Sequence, residues 1–177
     1  MKYWFTSDTH FNHANIIAYC NRPFDDVYHM DSSLIIRWNE RVKPEDTVIH
    51  LGDFGFLRGE KNWEYYRKQL NGTIVLVGGN HDTNNDVRNI IQSLVIKHGG
   101  IDWWCQHETS FLYMYNLCGH VHTNWRIDRR FERVCVNVGV DQWNYYPVNM
   151  MEILKAINTS DTPTGSLPEG VKVKKDE

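Results

Sequence analysis

The chain has 177 residues, enough for one domain with a sizeable core. Hydrophobic residues make up 41% and charged ones 23%, and the net charge of -3 comes with no long run of one sign, so the sequence carries no strong nucleic-acid signature. No apolar run approaches the ~20 residues that span a bilayer, and Met1 to Phe5 turn polar by Thr6 without the core of a signal peptide, so a cytoplasmic protein with no membrane role is expected.

A first strand, over about 2–6, runs into Ser7-Asp8-Thr9-His10-Phe11-Asn12-His13. A short helix over about 14–20 and a turn at Asn21 to Asp26 follow. The next helix, over about 32–42, is expected to start at a cap on Asp31 or Ser32 and carries the core stripe Leu34, Ile35, Trp38 and Val42. After Lys43-Pro44, a second strand over about 47–51 ends at Gly52-Asp53. Trp63, Tyr66 and Leu70 mark a helix that stops at Asn71-Gly72. The buried-looking run Thr73-Ile74-Val75-Leu76-Val77 then ends in Gly78-Gly79 and delivers Asn80, His81 and Asp82 to the rim of a sheet. A helix starting near Asp82 would place Val87, Ile90 and Ile91 on its apolar side.

The spacing changes after that. Short strand-like runs fall at about 94–98, 101–106, 111–117 and 133–138, and Pro147 to Asn158 adds a last strand and helix. Alternating strand and helix, followed by mostly strand, predicts a largely parallel sheet and then a more antiparallel one. Residues 1–158 are expected to form one domain, and 159–177, with its Pro, Gly and Lys, a loosely held tail.

Several apolar runs end in metal-binding side chains. Asp8, His10, Asp53, Asn80, His107, His120 and His122 follow strand-like segments spread over more than a hundred residues, so one site assembled by the fold is expected. In an extended strand, residues i and i+2 share a side. On that geometry Asp8 and His10 would reach one ion together, and His120 and His122 have the same spacing. Carboxylate, amide and imidazole donors suit borderline divalent ions better than an all-oxygen cage for Mg or Ca. His50, inside an apolar run, is read as a core histidine, and His29 as a loop or surface residue. Cys20, Cys105, Cys118 and Cys135 form no C-x-x-C pair and are read as buried or reduced thiols, although Cys105-x-His107 and Cys118-x-His120 leave a thiolate ligand open. Arg22 and His13 follow the first cluster closely. Arg22 could grip a phosphate by a bidentate contact or form a structural salt bridge. Trp125, Trp143, Tyr145 and Tyr146 could stack on a nucleobase or simply pack.

Asp8-x-His10, Gly52-Asp53, Gly79-Asn80-His81-Asp82, a later lone His and Gly119-His120-x-His122, in that order, resemble the calcineurin-like metallophosphoesterase superfamily. Trp4 to Phe11 and Asn137-Val138-Gly139-Val140-Asp141 resemble its small single-domain members from bacteria and phages. The resemblance implies an α/β fold, a four-layer α/β/β/α sandwich of two mixed sheets flanked by helices. It implies a centre of two divalent ions, manganese first, with iron, zinc, cobalt or nickel as alternatives. Asp8, His10, Asp53 and His122 would hold one ion. Asp53, Asn80, His107 and His120 would hold the other, with Asp53 bridging. His81 would stand beside the leaving group, oriented by Asp82. The implied activity is hydrolysis of a phosphate mono- or diester, a nucleotide among the candidates, by in-line attack of a metal-bridging hydroxide. The lone His departs from the family pattern: Cys105-Gln106-His107-Glu108-Thr109 has no Pro, and His98, before Gly99-Gly100, competes with His107. A scaffold or nucleotide-binding protein that has lost turnover, and a nuclease, are the alternatives. Oligomeric state is not legible.

Overall fold

A computed structural model of the chain describes residues 1–82, 90–110, 113–130 and 132–160. Among the described residues, ten strands form two five-stranded mixed sheets. The first sheet contains β1 (Tyr3–Thr6), β2 (Thr47–His50), β3 (Thr73–Val77), β4 (Ile90–Ile91) and β10 (Val148–Asn149), in the order β10-β1-β2-β3-β4. All its pairings are parallel except β1 with β10. The second holds β5 (Leu94–His98), β6 (Ile101–Cys105), β7 (Tyr115–Cys118), β8 (Ile127–Asp128) and β9 (Val134–Asn137), in the order β5-β6-β7-β9-β8. Two of its four pairings are antiparallel, β5 with β6 and β8 with β9. The flanking helices are α1 (Asn15–Tyr19), α2 (Val27–Arg41), α3 (Trp63–Arg67) and α4 (Met150–Thr159).

The two-residue period of the central strands explains the layers. Phe5, Ile49 and Val77 point into a core shared with Trp103, Leu117, Val134 and Val136 of the second sheet. Their neighbours Trp4, Val48 and Leu76 point the other way, into a core with Ile16 of α1, Met30, Leu34 and Trp38 of α2, and Tyr66 of α3. Both faces of these strands are covered, so they read as unbroken apolar runs. The α4 residues Met150, Ile153, Leu154 and Ile157, at helical spacing, pack into the core between the sheets, behind a capping box of Asn149 and Glu152.

Apart from the helix expected after Asp82, the expected elements are present among the described residues, with a few shifts. Helix α2 starts at Val27, because Asp26 caps it by accepting the His29 N–H at 2.8 Å. His29 is therefore an exposed residue of the first helical turn, and Asp31 is buried inside the helix with the Tyr66 hydroxyl 2.7 Å away. Ile90 and Ile91 are not helical; they form β4, paired with Leu76 and Val77. The rest of the expected helix, 83–89, lies outside the described residues, as do Phe111 and Leu112 of the expected strand over 111–117; β7 begins at Tyr115. Helix α3 closes at Arg67, short of Leu70. Of the expected tail, Thr159 closes α4 and Ser160 caps it, while 161–177 lie outside the described residues. Among the described residues no helix is long and apolar enough to cross a membrane.

Candidate metal centre

The site forms where the chain leaves the strands. Pairing between β1 and β2 continues beyond their ends: Asp8 N–H donates to the Gly52 carbonyl at 3.0 Å, His10 N–H to that of Asp53 at 3.1 Å, and Phe11 N–H to that of Phe54 at 2.9 Å. The backbone is not extended there. Asp8, His10, Asp53, His120 and His122 all have positive φ, between 46° and 68°. The expectation that Asp8 and His10 share a side because they lie in a strand is therefore corrected; a left-handed backbone aims them. Such conformations cost roughly 1–3 kcal/mol each for a residue with a Cβ, less for Asp, Asn and His, and persist where surrounding contacts over-determine them. Close approach does the rest. A Cβ on Gly119 would fall 2.0 Å from Ser7 Oγ and 2.6 Å from Asp8 Oδ2, and one on Gly79 would fall 2.2 Å from Asp53 Oδ1.

All seven expected ligands come together. Ligand atoms of Asp8, His10 and His122 lie within 4.8 Å of one another, and so do those of Asp8, Asp53 and His107. Asp53 Oδ2 stands between the two halves, 3.6 Å from His10 Nε2 and 3.4 Å from His107 Nε2. Asn80 Oδ1 lies 3.0 Å from His107 Nε2 and 3.1 Å from His120 Nδ1. His120 and His122 thus go to opposite halves, as the family resemblance implies and as strand geometry does not. His107 lies in this cluster, whereas His98 is exposed at the end of β5, where it pairs with Ile101 across a Gly99-Gly100 hairpin.

The donor set fits a cation. His107 Nδ1 lies 2.7 Å from the Leu51 carbonyl, which can only accept, so Nδ1 carries the hydrogen and Nε2 faces the oxygens of Asp53 and Asn80. A bare lone pair there would be repelled; a metal ion or a proton resolves the conflict. His10 Nε2 is buried without a hydrogen-bond partner. The metal-free electrostatics agree. Burial works against a charged His107, but the Asp53 hydrogen bond and the Asp8 charge outweigh it and push its pKa up to about 9. His122 is pushed up to about 10, burial being outweighed by its hydrogen bonds to Asp141 and Cys20 and by the Asp8 charge. Asp53 resists burial through its hydrogen bond and ion pair with His107 and stays well below the usual carboxylate range. Burial raises Asp8 and holds His10 well below its ordinary value.

Other residues find their places around this cluster. Arg22 is not available to a phosphate. It is buried, and its five N–H donors go to Asp141 (2.8 and 3.0 Å), the Asp8 and Thr9 carbonyls (2.7 and 3.1 Å) and the Met30 sulfur. The structural salt bridge is the outcome, and it holds the left-handed turn of Asp8 in place. Asp141 also accepts from His122 Nδ1 at 2.9 Å, the carboxylate–histidine arrangement that orients metal ligands. Its part was missed in the sequence, although the segment that contains it resembles the family; Cys20, beside His122 and Asp141, was missed too. His13 sits 3.3 Å from His10, nitrogen to nitrogen. His81 is exposed at the rim, its N–H donating to Asp53 Oδ1 at 3.0 Å and its ring 5.7 Å from that of His10. Asp82 accepts from the backbone N–H of Asp53, Phe54 and Gly79, all within 2.9 Å, and so fastens the Asp53 loop to the Asn80 loop. His50 is a core residue bonded to Thr9 Oγ1, with burial lowering it to about 3. Cys105 and Cys118 are buried thiols pushed up by burial, Cys105 to about 12, and among the described residues neither belongs to a ligand group.

Known proteins share this frame. An uncharacterized protein of Methanocaldococcus jannaschii, MJ1445, is 38% identical over 165 residues, covering 88% of this chain and 91% of that protein. The Gene 66 protein of Mycobacterium phage L5 is 25% identical over 88% of this chain and 93% of its own length. The crystal structure of a protein of unknown function from Aquifex aeolicus, AQ665, is similar with a TM-score of 0.69 and 27% identity, covering 88% of this chain and 98% of that one. The model of the calcineurin-like phosphoesterase family matches residues 1–155, from before the first ligand to the last helix, and the chain belongs to that family.

Proposed function

We propose that this protein is a metal-dependent phosphoesterase whose centre takes two divalent ions. Asp8, His10 and His122 would hold one, Asn80, His107 and His120 the other, and Asp53 both. The observation that carries this is the position of Asp53 Oδ2, 3.6 Å from His10 Nε2 and 3.4 Å from His107 Nε2. One carboxylate oxygen facing an imidazole of each half is what a shared ligand requires. Mixed nitrogen and oxygen donors favour manganese, iron, cobalt, nickel or zinc. When bound, such ions neutralise phosphoryl oxygens and lower the pKa of water to near neutrality.

The chain's own residues supply the rest. Asp82 and Arg22 lock the loops before substrate arrives. His81, exposed at the rim and anchored through its backbone to Asp53, would give a proton to the departing oxygen of a mono- or diester. The direct test is turnover of aryl phosphate mono- and diesters with each candidate divalent ion across pH ~6 to ~9, the range over which an enzyme of this type is poised. Turnover that depends on the ion is expected. Inactivity with every ion, together with fewer than two bound, would mark a binding protein on the same fold.

A further inference from the structure

A row of aromatic rings leads away from the candidate centre on one side. His13 lies 5.3 Å from His10, ring to ring, and Phe56 packs against His13 at 4.2 Å. Tyr19 meets the edge of His13 at 6.4 Å, and Phe56 also stands 6.0 Å from His81. The guanidinium of Arg58 lies over the Phe56 ring at 5.9 Å, on a turn closed by reciprocal backbone bonds between Arg58 and Lys61. Phe56 is half-buried and Arg58 exposed, while Tyr19 is 74% exposed at the end of a short helix. Three of the four aromatic residues that the sequence offered for stacking are engaged elsewhere. Trp143 Nε1 donates to the Asn137 carbonyl, Tyr145 packs on Phe24, and the Tyr146 hydroxyl bonds Glu40.

We infer that Tyr19, His13 and Phe56 form a platform for the base of a nucleotide substrate whose phosphate lies at the centre. This rests on the phosphoesterase reading and names its substrate class. Every nucleobase has a π-face, and flat rings stack on aromatic side chains without regard to hydrogen-bond pattern. Arg58 extends the platform, because a guanidinium both stacks on a base and attracts a further phosphate. The ring row starts at a ligand, His10, and runs outward by steps of 5.3 and 4.2 Å. A sugar joining phosphate to base would span that separation. A phosphate ester without a flat group would leave Tyr19 and Phe56 unused.

The test compares substrates that differ only in the base: adenosine 5′-phosphate or its methyl ester against ribose 5-phosphate or its methyl ester. A stacked base is expected to favour the nucleotide about ten- to a hundred-fold in kcat/KM. Tyr19→Ala and Phe56→Leu should lower that preference, through KM more than kcat. A second measurement does not depend on turnover: NMR titration of the protein with adenosine and with ribose. Adenosine should bind and ribose should not, and both substitutions should weaken adenosine. Equal use of both esters, or no adenosine binding, overturns the platform. Adenosine binding that both variants weaken, in a protein that turns over neither these esters nor aryl phosphates with any ion, supports the platform and sinks the phosphoesterase reading instead. If Phe56→Leu does not fold, the exposed Tyr19→Ala carries the test.

Discussion

The two halves of the candidate centre are built differently. Around Asp8, His10 and His122 the protein is closed: Asp8 and His10 are buried, and behind them Asp141 joins Arg22 to His122. Every donor of Arg22 is spent on that brace and on the turn it supports. Around Asn80, His107 and His120 the protein is open. Asn80 and His120 are exposed, and Asn80 and His107 line a cavity of about 370 Å³ with Gly79 and Gln106. The Asn80 side-chain oxygen is held by His107 and His120, prospective ligands themselves. The closed half is organised on folding and has little left to lose when an ion arrives. In the open half His107 is buried and fixed by Leu51, but the exposed Asn80 and His120 must be ordered at that moment, so this half should hold its ion more weakly and admit substrate.

That contrast can be broken from either side. The largest effect should come from His81, which serves the chemistry and belongs to neither ligand set. His81→Ala should lower kcat by ~10²–10⁴-fold while both ions stay bound. The loss should shrink for nitrophenol esters, whose leaving group needs little protonation, and persist for alkyl esters. Loss of an ion in this variant would make His81 a ligand.

Next comes the brace. Asp141→Asn removes the charge that orients His122, and metal affinity should fall ~10–100-fold, the usual cost of losing such a partner. In a calorimetric titration only the tighter of two binding phases should weaken. If both phases weaken alike, the two halves are not separate units.

The pH offers a finer probe. Metal-free His107 is held protonated up to about pH 9, and ligation requires the proton to leave. Binding at pH 7 should therefore release protons, read as a heat that varies with the buffer, and affinity should rise as pH climbs toward 9. A buffer-independent heat at pH 7 would contradict the arrangement.

The smallest effect belongs at the far end of the first sheet. Asp46 accepts from Trp4 Nε1 and from the backbone N–H of Lys2 and Lys43. Burial opposes its charge, yet these bonds hold its pKa below the ordinary value. A depressed folded-state pKa means stability present above the ordinary carboxyl range and lost as pH falls through the folded value. Asp46→Asn should cost about 1 kcal/mol at neutral pH, with a gap to wild type that closes on acidification. Its metal content should not change; a change would mean the two ends of the sheet are coupled.

Much of the centre was legible because its chemistry repeats one grammar: an apolar strand, then a polar ligand. Asp8, His10, Asp53, Asn80, His120 and His122 could be found that way, but His107 and His98 both follow strand-like runs, and only the fold brings His107 to the cluster. The backbone was not legible. Positive φ at five ligands follows from bonds between loops distant in sequence, such as Asp8 N–H to Gly52, and no local propensity signals it. Nor was the brace, since Arg22 and Asp141 meet across 119 positions. The start of α2 could have been read: Asp26 followed three residues later by the His29 amide is an ordinary N-cap, hidden by a Pro23 to Asp26 segment that looks like a turn. β4 was misread because two isoleucines carry no period by which helix and strand differ.

The central claim is that Asp53 is shared by both halves, and metal content measures it most directly. Metal-loaded wild-type protein, after removal of free ion, should carry two equivalents per chain. Asp53→Asn should carry none that survive the same treatment, while His120→Ala, which touches the open half only, should keep one. An Asp53→Asn protein that is folded and still holds an ion as tightly as wild type would contradict the account.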